Sequence, residues 1–146
     1  MKYIVTSLLL LLISCSNTKP QEKTEDPTLQ KLMDIFFDKY KTNPKEAVDF
    51  IFGTNTDILP DQVKELKDKL STINLLAGNF YGQELITSQK ASSSLVYFSF
   101  LVKHDKPIRF IFMFYKPKDK WKIYKFKFDD QVDAELEESG KVYFIK

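Results

Sequence analysis

The chain has one histidine, His104, followed by Asp105 and Lys106. A His-Asp pair is the minimal requirement for acid–base work, but that work needs a pocket and a positioned partner. His104-Asp105-Lys106-Pro107 has the composition of a turn, so His104 is expected as a solvated turn residue. No Cys/His/Asp/Glu spacing resembles a zinc site, and no nucleophile elbow occurs. With four glycines in 146 residues, none in a glycine-rich loop ahead of a helix, a phosphate cradle is implausible. Neither a cofactor nor a metal is expected. Two charges, Glu84 and Arg109, fall within strand-like runs. A buried strand charge demands a partner, whereas an exposed one makes a cross-strand pair worth little. Arg109 is expected exposed or at a sheet rim, opposite the face of Phe110, Phe112 and Phe114.

The segment Trp121 to Phe128 interleaves lysines with aromatics, as a base-stacking surface for single-stranded nucleic acid would. An ordinary strand with aromatics inward and lysines outward has the same pattern. The net charge of +2 supplies no basic field for a polyanion, so nucleic acid is not expected as a partner.

The elements that must position these residues begin after residue 26. Met1-Lys2 and the apolar run Ile4 to Ile13, with leucines at 8 to 12, form a stretch too short to span a bilayer, which takes roughly 20 residues. The run ends Leu12-Ile13-Ser14-Cys15, which resembles the lipobox of bacterial lipoproteins. The resemblance implies cleavage before Cys15 and acylation there by diacylglyceryl and fatty-acyl groups such as palmitate. Cys15 is the single cysteine, so no disulfide forms within the chain. Ser16 at the next position implies, by the bacterial sorting rule, passage to the outer membrane. Residues 1–14 are then a lipoprotein signal peptide. Residues 15–26, apolar only at proline after the cysteine, form a disordered tether, and 27–146 form one α+β domain.

Asp26-Pro27 predicts a helix start, and Leu29, Leu32, Met33, Phe36, Phe37 and Tyr40 form one apolar stripe. Asn43-Pro44-Lys45-Glu46 imitates a capping box ahead of Ala47, Val48, Ile51 and Phe52. A third helix is expected from about Pro60 to Leu76. From Gly78 the period becomes alternating. Strands are expected over Phe80 to Gln89, with a bulge or close approach at Gly82, and over Ser94 to Val102. The runs Ile108 to Tyr115 and Trp121 to Phe128 form a hairpin across a turn containing Pro117. A β-bulge near Tyr124 and Lys125 is required to bring Trp121, Ile123, Phe126 and Phe128 onto one face. The acidic tail after Asp130 is expected to form a short helix with Val132 and Leu136 inward, before Val142 to Ile145 docks.

Helices followed by a bent four-stranded antiparallel sheet resemble the cystatin-like roll, also named after nuclear transport factor 2. Phe52-Gly53-Thr54-Asn55, Gly78 to Ile86, Pro107 to Phe110, Phe114 to Pro117 and Trp121 to Asp130 also resemble an uncharacterised family of bacterial secreted proteins and lipoproteins. The roll resemblance implies a cavity between sheet and helices, with Tyr81, Glu84, Tyr97, Arg109, Tyr115 and Trp121 as candidate ligand-binding liners. The expected function is a lipid-anchored cell-envelope protein whose non-catalytic binding or scaffold domain faces the periplasm. Its partners would be the membrane, through Cys15, and a protein of the envelope. The alternative is a small-ligand carrier, or an isomerase- or dehydratase-like enzyme, using the roll cavity.

Overall fold

The sequence puts a carboxylate before a proline at residue 26, and that is where the first helix starts. Asp26 caps α1, Pro27–Thr42, by accepting from the Thr28 backbone N–H at 3.0 Å. Asn43 both ends α1 and starts α2, Pro44–Phe52. Its backbone N–H is already bonded to the Lys39 carbonyl at 2.7 Å. The expected reciprocal capping box is therefore replaced by a side-chain bond from Asn43 to Glu46 at 3.0 Å, while Asn43 Oδ1 caps Lys45. The third helix, α3, is Pro60–Ala77. The computed structural model describes residues 26–135 and 137. The signal segment, Cys15, the tether before Asp26, Leu136 and the closing run from Val142 to Ile145 lie outside them.

Four strands follow: β1 Gly82–Ser92, β2 Leu95–Lys103, β3 Ile108–Tyr115 and β4 Lys122–Asp129. They form an antiparallel sheet in the order β1-β2-β3-β4, and residues 132–135 make a helical turn after it. The class is α+β, helices first.

The inner sheet face carries Val96, Phe98, Phe100 and Val102 from β2 and Ile108, Phe110, Phe112 and Phe114 from β3, all buried as their alternation requires. The apolar stripe of α1 lies on this face. The Phe36 ring sits 4.9 Å from Phe112, 5.5 Å from Phe126 and 6.3 Å from Phe110, edge-on in each case. The β4 bulge lies where the sequence required it. Met113 pairs with Lys125 and Phe114 with Ile123, leaving Tyr124 as the extra residue. Trp121, Ile123 and Phe126 are buried in the core, and Phe128, half-buried, packs against it on the same face.

Two strand expectations are corrected. β1 begins two residues later than expected and runs on to Ser92, because Phe80 turns away to pack on Tyr40 and His104, with ring centroids 5.3 and 5.6 Å apart. The breaks in β1 register fall at Ile86 and Ala91, not at Gly82. Gly82 has φ +133°, and a Cβ there would meet only ordinary contact at 3.6 Å. Backbone conformation rather than space calls for glycine there.

Phe36 is wholly buried among five aromatic rings. Phe36→Ala is expected to cost about 3–5 kcal/mol, read as a lowered urea midpoint with unchanged slope. Leu75→Ala, at a residue 84% exposed, should move the same midpoint by less than about 0.5 kcal/mol.

Candidate functional site

The polar side chains that could do chemistry gather in three clusters rather than one. The first is on the outer sheet face at the start of β3. Arg109 is buried, at 8% exposure, which corrects the expectation of an exposed or rim position. Its Nε and Nη2 donate to the two carboxylate oxygens of Asp129 at 2.9 and 3.0 Å, a bidentate fork. Nη1 donates to Glu135 Oε2 at 3.1 Å. Asp129 stands directly across the β3–β4 ladder, and Glu135 comes from the turn of helix after β4. The Asp129 hydrogen bonds raise the Arg109 pKa further, against the cost of burial. Tyr97 joins the group by donating to Glu135 Oε2 at 3.3 Å. Burial, then the Glu135 charge, pushes its phenol up.

Glu84 is not part of this cluster. It is exposed on β1, accepting from Lys103 at 2.7 Å. The pairing of Arg109 with Glu84 is thereby replaced by two pairs, one buried and one at the surface.

The second cluster is at the far end of α1 and α3. Here His104, expected in solvent, is held at both ring nitrogens. Nδ1 lies 2.9 Å from the Gly78 carbonyl, which can only accept, so Nδ1 carries a proton. Nε2 lies 3.0 Å from the Tyr40 hydroxyl, which donates to Asn74 Oδ1. Burial pushes the Tyr40 phenol well above its ordinary value, and the Asn74 bond opposes that only in part. Asp105 faces the other way. It accepts from the Asn79 backbone N–H at 3.0 Å and from the Tyr81 hydroxyl at 2.6 Å. The Tyr81 bond, then the Asn79 bond, holds its carboxyl below the usual range. Gly78 permits this approach. Its φ is +85°, and a Cβ there would stand 2.0 Å from Asp105 Oδ2.

The third cluster is at the opposite end, where the fold begins. Trp121 Nε1 donates to Asp26 Oδ2 at 2.6 Å, and this bond, more than any other cause, lowers the Asp26 pKa. Lys116 Nζ stands 4.6 Å over the Trp121 ring and 4.0 Å from Asp26. A cavity of about 280 Å³ opens here, walled by Trp121, Leu32, Thr54, Lys116 and Lys120.

Of the six expected liners, Tyr97 and Arg109 meet through Glu135 and Trp121 lines the 280 Å³ cavity. Tyr81, Glu84 and Tyr115 are exposed. Arg109 and Tyr115 are six positions apart on one strand, roughly 20 Å. The six do not converge on one cavity. Sequence reasoning missed Asp129, Glu135, Tyr40, Asn74 and Asp26 as partners. For Asp129 the signal existed: counting back through the Tyr124 bulge places it opposite Arg109. Among the described residues no group of three or more His, Cys, Asp or Glu could hold a metal ion, and no helix is long and apolar enough to cross a membrane. Compared with protein-family models, curated proteins and solved structures, the chain matches none.

Arg109→Ala should cost roughly 3–5 kcal/mol, because it strands two carboxylates on a buried face. Arg109→Lys should recover only part of that, since an ammonium cannot reproduce the fork. Urea midpoints of the two variants check the order. Tyr40 supplies a pH test. Its pKa is raised in the folded state above the ordinary value of 10.0, so its contribution is complete below pH 10 and is lost as pH rises beyond it. Urea midpoints from pH 8 to 11 should fall more steeply for the native chain than for Tyr40→Phe.

Proposed function

We propose that this chain is a lipid-anchored protein of the cell envelope, acylated at Cys15 and carrying a cystatin-like roll that binds a protein partner without catalysis. The observation that carries the non-catalytic reading is that the polar groups of the three clusters are bonded within the fold; among the described residues the buried side-chain polar atom without a partner is Ser99 Oγ. Arg109, His104, Asp105 and Trp121 are each bonded to other side chains or backbone of the fold, in separate places. A catalytic constellation instead leaves a nucleophile, acid or base aimed at a shared point. The lipobox resemblance supports the anchor, and Ser16 supports the outer membrane, facing the periplasm.

The partner surface is best sought at the end away from the anchor. Asp26 lies at the start of α1, and Tyr40, fourteen positions on, lies roughly 21 Å along its axis. There the last turn of α3 carries Leu75 and Leu76, exposed at 84% and 67%, and Tyr81, a few residues on, is exposed too. Adjacent exposed apolar side chains at one end of a domain are what a protein contact would cover. The carrier or isomerase reading rests on the cavity beside Trp121. At about 280 Å³ it falls just below the range for small-molecule sites.

The test has an anchoring arm and a binding arm. Radioactive palmitate should label the native chain and not Cys15→Ala, and globomycin should leave an unprocessed precursor. An unlabelled mature chain would refute the anchor. From detergent-solubilised envelope, the native chain should retain a protein that the Leu75→Asp/Leu76→Asp variant loses. Recovery of a small molecule with no protein partner would reverse the ranking in favour of the carrier.

A further inference from the structure

The net charge of +2 conceals a local concentration. Between Lys116 and Lys127 the sequence has six lysines and one acid, Asp119. The rest of the chain has 16 basic residues against 19 acidic ones, from totals of 22 and 20. The fold turns that segment into a surface. Lys116, Lys118 and Lys120 lie on the turn between β3 and β4. Lys122, Lys125 and Lys127 stand opposite Tyr115, Met113 and Ile111, on the face away from the phenylalanines. From Lys122 to Lys127 the strand part of the stripe runs roughly 17 Å along the edge of the sheet.

Among the described residues, four of the six lysines are left without an ion pair. Lys122 pairs with Asp57, and Lys116 stands 4.0 Å from Asp26. Lys118, Lys120, Lys125 and Lys127 have no ion-pair partner among the described residues. Tyr124, the residue extruded by the bulge, stands 62% exposed among them. A tyrosine with an apolar ring and a polar tip suits the headgroup level of a bilayer.

The position of the stripe completes the argument. The turn bearing its first lysines packs against Asp26, through the Asp26–Trp121 bond and the shared cavity wall. Asp26 is where the chain from Cys15 enters the fold. The eleven residue steps from Cys15 to Asp26 span at most about 40 Å. An acyl group at Cys15 would therefore keep the turn within about 40 Å of the lipid phosphates.

We propose that the β3–β4 turn and the β4 edge form a docking surface for an anionic lipid bilayer, with the turn nearest the anchor. The orientation rests on the anchor reading, and the lipid contact is tested apart from it. Juxtamembrane lysines each add modest attraction to anionic leaflets, and it falls off within a Debye length, so the contact is salt-sensitive.

The test is lysine labelling of the full mature chain with a water-soluble amine reagent, read residue by residue by mass spectrometry. The chain is reconstituted in phosphatidylcholine vesicles with or without one-third phosphatidylglycerol. Phosphatidylglycerol should slow labelling of Lys118, Lys120, Lys125 and Lys127 at least threefold at low salt. At 0.5 M salt the protection should vanish, and exposed Lys31 and Lys64 on the helices should not change. The Lys118→Glu/Lys125→Glu/Lys127→Glu variant alters exposed side chains only and should abolish protection of Lys120. Equal labelling with and without phosphatidylglycerol, or uniform protection of all lysines, overturns the proposal.

Intact mass reports separately whether Cys15 is acylated. If it is not, the chain is added to preformed vesicles. Co-sedimentation that drops at least tenfold between low and 0.5 M salt then upholds the lysine surface while the anchor reading fails. Absence of such binding refutes the surface. Protection by a soluble polyanion with none by vesicles also refutes it and makes the stripe a polyanion site.

Discussion

One extra residue in β4 sets the arrangement of everything around it. Without the bulge at Tyr124, Phe126 and Phe128 could face α1 only if Trp121 and Ile123 faced outward, because the side-chain period of a strand is two. With it, all four face the core and Phe112 stacks on Phe126 with centroids 4.8 Å apart. The same residue sets the outer face. It puts Asp129 opposite Arg109 and turns Lys122, Lys125 and Lys127 away from the core. Core, buried ion pair and lysine stripe are three consequences of one register step.

A bulge in an outer strand needs support, because it breaks the ladder where, among the described residues, no further strand pairs to repair it. The loop after α2 provides that support. Asn55 donates to the Ile123 carbonyl at 2.6 Å, and Thr54 Oγ1 accepts from the Ile123 backbone N–H at 3.0 Å. Thr54 is itself tied to the end of α2 through the Ile51 carbonyl at 2.7 Å. The helical half thus grips β4 one residue before Tyr124. Ile123, wholly buried, is satisfied on both its packing and its hydrogen-bonding sides.

The parts of this fold legible in sequence are those governed by local period and local chemistry. The Asp26 cap, the α1 stripe, the alternation of β2 and β3 and the Tyr124 bulge each depend on residues within a few positions of one another. The polar clusters were not legible, because each closes over a long stretch of chain. Trp121 reaches back 95 residues to Asp26, and His104 reaches back 64 to Tyr40. Nothing in a turn-like His-Asp-Lys-Pro sequence reveals that a tyrosine three helical turns into α1 will point at it. Arg109 lies between these cases. Its alternation placed it correctly on the outer face, but outward was equated with exposed. Glu135 covers that face from beyond β4.

The lysines of β4 have two physical explanations, which differ in what they require of the other edge. Charged edge strands deter edge-to-edge pairing with a second molecule, and lysine is the residue most often used for it. If that were the whole cause, β1 would need the same treatment. Among the described residues it is the other outer strand of the sheet and, at eleven residues, the longer one. Yet β1 carries one acid and one base, Glu84 and Lys90, and relies on breaks at Ile86 and Ala91 to disrupt its edge. β4 already has such a break at Tyr124, so edge protection alone leaves its lysines in excess. The excess also extends onto the β3–β4 turn, which is not an edge. A surface that is predominantly basic over turn and strand together, beginning where the chain enters the fold, is better explained by what it faces than by what it avoids.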